Sequence, residues 1–349
     1  MERGRARRLA LISATFGGIL LLALGALHFP ATVQAGNVPH RPAIGPAGRT
    51  SRSPSVPATR AHAGWNVSPI LTPGVSQDLR GVAATSASNA WAVGYYDPNS
   101  GGATPLVEHF NGQTWSLSSV PLGSSTGDVL NGITALASNN VWAVGSGSGT
   151  GGTLVEHWDG ANWNLITSPN HGTDPSELKS IAAVAPDDLW AVGTYSFNNN
   201  NDNAQLIEHW NGTSWTIVTG PDSGLTEVIL TSVAASSATD IWMVGQGLVN
   251  GADNRSLVEH WNGSAWTATI FGPISGQFPD VEGIAANSSG VWVAGTVRDA
   301  SLNYNVPLVE HWDGISWTII PSAPAGSIGS GFTTIAIGQY GDVWAAGYT

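Results

Sequence analysis

The motif Trp-x-x-Gly occurs six times, at Trp91, Trp142, Trp190, Trp242, Trp292 and Trp344, spaced by 51, 48, 52, 50 and 52 residues. Between successive copies stands a second motif, in five versions: VEHFNGQTW (107–115), VEHWDGANW (155–163), IEHWNGTSW (207–215), VEHWNGSAW (258–266) and VEHWDGISW (309–317). Self-similarity at this period belongs to propellers and solenoids, whose units bury their apolar faces against one another. The chain must therefore be built from one supersecondary unit used repeatedly.

Each unit divides into four short runs. LKSIAAVAP and DLWAVGTY supply a first and a second strand, the latter with Trp and Val on one face at period two. LIEHW supplies a third and SWTIV a fourth. Asn-Gly or Asp-Gly joins third to fourth in all five copies, because glycine accepts the positive φ of a tight hairpin turn. Helical repeats would need sustained 3.6-residue periodicity, and none occurs. Composition agrees: 44 Gly and 20 Pro against 10% charged residues favour strands and turns over helices. Four antiparallel strands per unit make a propeller blade. The expected fold is all-β, a six-bladed β-propeller with blades at about 79–119, 130–168, 178–219, 230–270 and 281–321. The sixth, incomplete blade joins 332–349 to 65–70, where Trp65 stands in the place of Trp115 and the two termini close the ring.

Ahead of the repeats, MERGRARR is basic, 9–27 is uncharged and apolar, and Val33-Gln34-Ala35 has small residues at a cleavage spacing. Residues 1–35 are expected to be an export signal, either cleaved or retained as an anchor through 9–27. Residues 36–64, rich in Pro, Ser, Ala and Arg, read as a disordered spacer. The repeat domain is thus expected to be extracellular or at the cell surface, touching membrane only through the N-terminal segment. It holds 23 of the 24 acidic residues but only four of the 12 basic ones, Arg80, Lys179, Arg255 and Arg298. So acidic a body repels phosphate backbones, which excludes nucleic acid as a partner. The absence of cysteine excludes disulfides, thiolate-bound zinc and a cysteine nucleophile.

A strand ending in Gly, an aromatic third strand, a tight turn and then Trp resembles the kelch blade of galactose-oxidase-like propellers, over 65–349. Kelch blades carry a Gly-Gly doublet, whereas here a single Gly is followed by Tyr95, Ser146, Thr194, Gln246, Thr296 or Tyr348. The Asp-Gly-x-x-Trp stretches also resemble the sialidase Asp-box turn, in which one residue separates Asp from Gly. The resemblance implies the propeller fold. Galactose-oxidase chemistry does not follow, since its cofactor needs a cysteine-tyrosine crosslink. A sialidase-like site would need three arginines on a substrate carboxylate, and the domain has Arg80, Arg255 and Arg298.

Chemistry happens once per site, while scaffold recurs in every blade. Glu108, Glu156, Glu208, Glu259 and Glu310 repeat at one structural position and are expected to accept hydrogen bonds from turn amides or a neighbouring blade. The adjoining histidines are expected to pack beside Trp rings. All 16 Trp belong to repeated positions, so no spare indole remains for a sugar platform, although Tyr95, Tyr96, Tyr195 and Tyr304 do. Outside the motif and the N-terminal 64 residues the one remaining histidine is His171, read as an exposed loop residue.

The first-to-second loops and third-to-fourth turns are short and uniform, while the second-to-third and inter-blade loops vary, which makes the variable face the candidate binding surface. An acid recurs before each first strand, at Asp78, Asp128, Glu177, Glu227 and Asp280. Such a ring of hard oxygens suits Ca²⁺, although capping of loop amides is the preferred reading, and no other cofactor is expected. Further in, one repeated position diverges: Arg80, Asn131, Lys179, Thr231, Glu282, Thr333. Repeated placement with unrepeated chemistry is where selectivity belongs, and these six are the candidate ligand-binding residues at the channel mouth. No catalytic residue is assigned. The expected function is a monomeric, exported, non-catalytic binding module for an extracellular protein or carbohydrate. The alternatives are a propeller glycoside hydrolase or sialidase-like enzyme using channel-mouth carboxylates, and a structural or sensory ectodomain.

Overall fold

The computed structural model describes 76–349 apart from 99–101, 122–126, 148–151, 173–174, 198–201, 252, 273, 275–276, 322–328, 339–340 and 349, together with 11–16, 19–22, 66–68, 71, 73 and 74. The expected spacer, most of the expected export signal and parts of the variable loops lie outside the described residues.

The repeats form five four-stranded antiparallel sheets and one two-stranded sheet. The first strands are Ser76–Ser86, Val129–Ala137, Ser176–Ala185, Thr226–Ser237 and Asp280–Asn287, and the second are Asn89–Asp97, Asn140–Gly147, Asp188–Phe197, Asp240–Val249 and Gly290–Asp299. The third are Thr104–Phe110, Gly152–Trp158, Asp202–Trp210, Asp253–Trp261 and Tyr304–Trp312, and short fourth strands begin at Trp115, Trp163, Trp215, Trp266 and Trp317. Each sheet runs in sequence order, and each first strand touches that of the next sheet, through to Gly331–Ile337, so the sheets stand around a common axis as propeller blades.

The N-terminal segment departs from expectation. Asn66–Ser68 pairs with Leu11–Ser13 in a separate three-stranded sheet with Ile19–Leu22, and the sheet of Gly331–Ile337 and Val343–Tyr348 keeps two strands. A short strand with free backbone groups pairs with whichever edge is offered, and here that edge is the apolar 11–16 run.

The core lies between blades. One cluster joins Trp91, Val93 and Val107 of the first blade to Leu130, Val141 and Trp163 of the second, and the pattern recurs at each following junction. Two glycine classes make the blade. In the third-to-fourth turns Gly112, Gly160, Gly212, Gly263 and Gly314 have φ between 88° and 98°. A Cβ on the first four of these would strike Ser88, Asn139, Asp187 and Thr239, so both sets of short loops share one face, as their uniform lengths suggest. The glycine of Trp-x-x-Gly is forced by close approach instead: a Cβ at Gly94, Gly145, Gly193 or Gly295 would lie 1.9 Å from a carbonyl oxygen of the first strand.

Candidate functional site

That close approach marks an irregularity in the first strand. In every blade the register slips by one residue opposite the glycine: between Leu79 and Gly81, Leu130 and Gly132, Leu178 and Ser180, Leu230 and Ser232, Val281 and Gly283, and Phe332 and Thr334. The extra residues are Arg80, Asn131, Lys179, Thr231, Glu282 and Thr333. A β-bulge re-aims the side chain it inserts. Here all six line a single cavity of about 260 Å³ on the propeller axis, above a layer that includes Val82, Ile133, Ile181 and Ile335. The divergent residues named from the sequence are thus one constellation.

They are also bonded to one another across blades. Arg80 Nη1 donates to Asn131 Oδ1 at 2.6 Å, and Asn131 Nδ2 donates to Glu177 Oε1 at 2.9 Å and to the Leu178 carbonyl at 2.8 Å. Lys179 Nζ holds the other Glu177 oxygen at 2.8 Å. On the opposite arc Thr231 Oγ1 donates to the Glu282 carbonyl at 3.1 Å. Burial raises the Glu282 carboxyl from its ordinary value, and the charge of Asp280 adds to the effect. Charge-bearing groups of both signs therefore face one half-enclosed space in which water screens them incompletely.

The acidic ring is arranged differently from a metal site. Asp78, Glu177, Glu227 and Asp280 lie on the first strands rather than before them, and only Asp128 precedes its strand. Asp78 pairs with Arg80 at 3.2 Å, Glu177 is taken by Lys179 and Asn131, and Asp280 accepts from Gln246. Glu227 has φ 52° within an irregular stretch of pairing, and Asp128 is buried beside Glu156, whose carboxyl it helps keep protonated. Among the described residues no three His, Asp or Glu side chains converge to hold a metal ion. Nor do the three arginines meet. Arg255 lies 3.4 Å over the Phe278 ring and Arg298 donates to Asn303, while Arg80 alone lines the axial cavity.

The Glu-His doublets stay apart, one per blade. Each histidine lies against the Trp of its own blade, with ring centroids 3.7–4.4 Å apart, as expected of scaffold. In the first four blades its Nε2 meets an Asn or Asp two residues before that Trp: Asn89, Asn140, Asp188 or Asp240. This anchor escaped the sequence reading although it recurs at a fixed offset. The glutamates correct an expectation. Glu208 does accept from Ser168 of the preceding blade's connection and Glu108 lies against the Leu71 amide, but both carboxyl oxygens of Glu156 and Glu259 are buried without a partner. His171 stacks on Tyr195 at 3.9 Å.

No protein-family model and no curated protein matches the sequence. Among solved structures the chain is similar to a Trypanosoma rangeli sialidase in complex with 2,3-difluorosialic acid, at 11% identity and a TM-score of 0.50. That match covers 80% of this chain and 52% of the sialidase, so the chain spans about half the sialidase's length. It is also similar to a mutant of AofleA from Arthrobotrys oligospora, at 14% identity and a TM-score of 0.46 over 78% of this chain and 80% of that one. A polysaccharide lyase, an ulvan lyase, follows at 11% identity and 0.45 over 71% and 72%. The likeness to the sialidase supports the β-propeller fold that the sheets form. A sialidase shares this fold, and the axial cavity is lined by Arg80, Lys179 and Glu282 but, among the described residues, by no aromatic side chain, so the expectation of a non-catalytic binding module is corrected.

Proposed function

We propose that the domain is a carbohydrate-active enzyme that breaks glycosidic bonds at the channel mouth. The observation that carries this reading is the gathering of six bulged side chains, including two of the domain's four cations and Glu282, around one axial cavity. In this reading Glu282, whose carboxyl burial pushes above its ordinary value, is the general acid toward the leaving oxygen. Glu177, gripped by Lys179 and Asn131, is the partner carboxylate that receives a proton from water or attacks the sugar. Arg80 and Lys179 favour a sugar that carries a carboxylate, because cations in a half-enclosed site hold an anion more strongly than in open water. The ring is taken as six-bladed, the protein as an exported monomer, and the substrate as an extracellular glycan.

The test is release of reducing ends from uronate-containing and sialylated polysaccharides. Glu282→Gln and Glu177→Gln should each lower the rate by about 10²-fold or more while leaving the fold intact. If the wild-type chain cleaves none of these polymers, or Glu282→Gln retains full activity, the reading is wrong.

A further inference from the structure

The Trp-rich junctions between blades carry a second feature, far from the bulges. At the first two junctions the Trp of one blade packs on the Glu-His-Trp indole of the next, Trp91 on Trp158 and Trp142 on Trp210, both at 5.0 Å. At the fourth, Trp242 and Trp312 are 6.2 Å apart. At the third, Trp190 reaches Trp266 at 5.8 Å but makes no ring contact with Trp261 among the described residues. The residue that follows the Trp of the later blade is Ala143, Ala191, Met243 and Val293, in junction order. The indoles are 5.0 Å apart where that residue is Ala, 6.2 Å apart where it is Val, and out of ring contact where it is Met. Met243 is fully buried in one cluster with Trp190, and Trp261 packs against that cluster.

Between these indoles lies a groove of about 550 Å³ on the face of the short turns, bounded by Trp190, Trp261, Trp266, Asp188, His209 and Thr219. Its size suits a small molecule or a terminal group. Asp188 Oδ1 accepts from Trp190 Nε1 at 3.0 Å and lies 2.8 Å from His209 Nε2, so the carboxylate is held fast at the groove wall with 20% of its side chain exposed. No Lys or Arg lines the groove, and the body around it is strongly acidic.

We propose that this groove binds a methylated ammonium group. A quaternary ammonium has no N–H to satisfy, so it suits walls that offer indole faces and one carboxylate rather than a fan of hydrogen-bonding groups. A cation against aromatic rings is held by their quadrupoles, and the fixed carboxylate adds to the attraction. A sugar or a peptide segment would need several directed donors and acceptors, of which the groove has few. The site lies on the turn face, away from the axial cavity, and does not rest on the enzyme reading.

The experiment titrates the full chain with choline chloride, with its uncharged isostere 3,3-dimethyl-1-butanol and with methyl glucoside, followed by tryptophan fluorescence and calorimetry. Choline should bind saturably and at least about tenfold more tightly than the isostere. Trp261→Ala and Asp188→Asn should each weaken it about tenfold, while Trp317→Ala at the fourth junction leaves it unchanged. Met243→Ala should let Trp190 and Trp261 close together and abolish binding in a folded protein, which covers the case where Trp261→Ala fails to fold. A trimethyllysine peptide and phosphatidylcholine vesicles then distinguish protein from lipid sources of the group. Equal binding of choline and isostere, binding of the glucoside alone, or no saturable choline binding overturns the proposal.

Discussion

His260 Nε2 lies 2.8 Å from Asp240 Oδ1, and that same oxygen accepts the indole N–H of Trp242 at 2.7 Å. One carboxylate oxygen thus locks a histidine onto a tryptophan inside the blade, and the stacked pair, 3.7 Å apart, is the inner wall of the next junction. The second blade does the same with Asn140, whereas in the first Asn89 meets only His109 and the Trp91 indole N–H is buried without a partner. The bond needs an acceptor, and a charge is optional. Asp240→Asn is therefore expected to be nearly neutral, whereas Asp240→Ala, which orphans two donors, should cost about 1–3 kcal/mol in thermal unfolding. The fifth blade shows the deficient state in nature: Gly290 replaces the acceptor, and His311 Nε2 is buried without a partner.

The buried glutamates make stability depend on pH. Burial raises Glu156 and Glu259 to about 8 and Glu108 and Glu208 to about 7, and raises Glu310 as well. The folded chain therefore keeps protons that an unfolded carboxyl, with a pKa near 4.5, has released. A raised folded value contributes stability that is complete below about pH 4.5 and is lost as pH climbs through 7–8. The melting temperature should fall steadily from pH 5 to pH 8.5. Glu259→Gln, isosteric and uncharged, should flatten that slope and melt several degrees higher than the wild type at pH 8. A wild-type profile that rises over this range would show the carboxyls to be ionised in the native blade.

Calcium should leave the protein nearly untouched. A ligand stabilises only in proportion to its preference for the folded state. The carboxylates of Asp78, Glu177 and Asp280 are already engaged by Arg80, by Lys179 and Asn131, and by Gln246. A millimolar addition of CaCl₂ is expected to move the melting temperature by less than about 1 °C. A larger shift, abolished by Asp280→Asn, would restore the metal reading of the acidic ring.

What repeats was legible in the sequence, and what depends on pairing was not. Trp-x-x-Gly, the Asn-Gly turns and the Glu-His doublets announce four strands per blade because each copy repeats the same physical demand. The channel-mouth residues were found as the position where identity diverges, yet nothing local revealed that Arg80 or Lys179 sits on a bulge, since a register slip belongs to two strands at once. A signal was present in the small residue that follows, Gly81, Gly132, Ser180, Ser232 or Gly283. At Gly132 a Cβ would come within 3.0 Å of the Lys179 carbonyl, so the next blade's bulge presses on that small residue. The pairing of 66–68 was missed because its partner, 11–16, was read for export. The groove beside Trp261 was missed because counting indoles as scaffold says nothing of how far apart two of them stand.

Gly193 connects the repeat to the site, and a single methyl group there tests the connection. A Cβ at Gly193 would sit 1.9 Å from the Glu177 carbonyl oxygen and 2.9 Å from the Leu178 Cα, both backbone atoms with no rotamer to yield. The strand must move, and what it carries there is the bulge with Lys179, between Leu178 and Ser180. Gly193→Ala should therefore cost about 3 kcal/mol or more. It should also loosen the Lys179–Glu177–Asn131 chain, lowering any activity at the channel mouth beyond what lost folded protein explains. Gly272→Ala, with open space around the new methyl group and no positive φ, is the control and should change neither. The comparison is read by thermal unfolding together with turnover per folded molecule. If Gly193→Ala melts with the wild type, the first strand is not pinned against the second at this point, and the bulge cannot be what aims the six side chains into the channel.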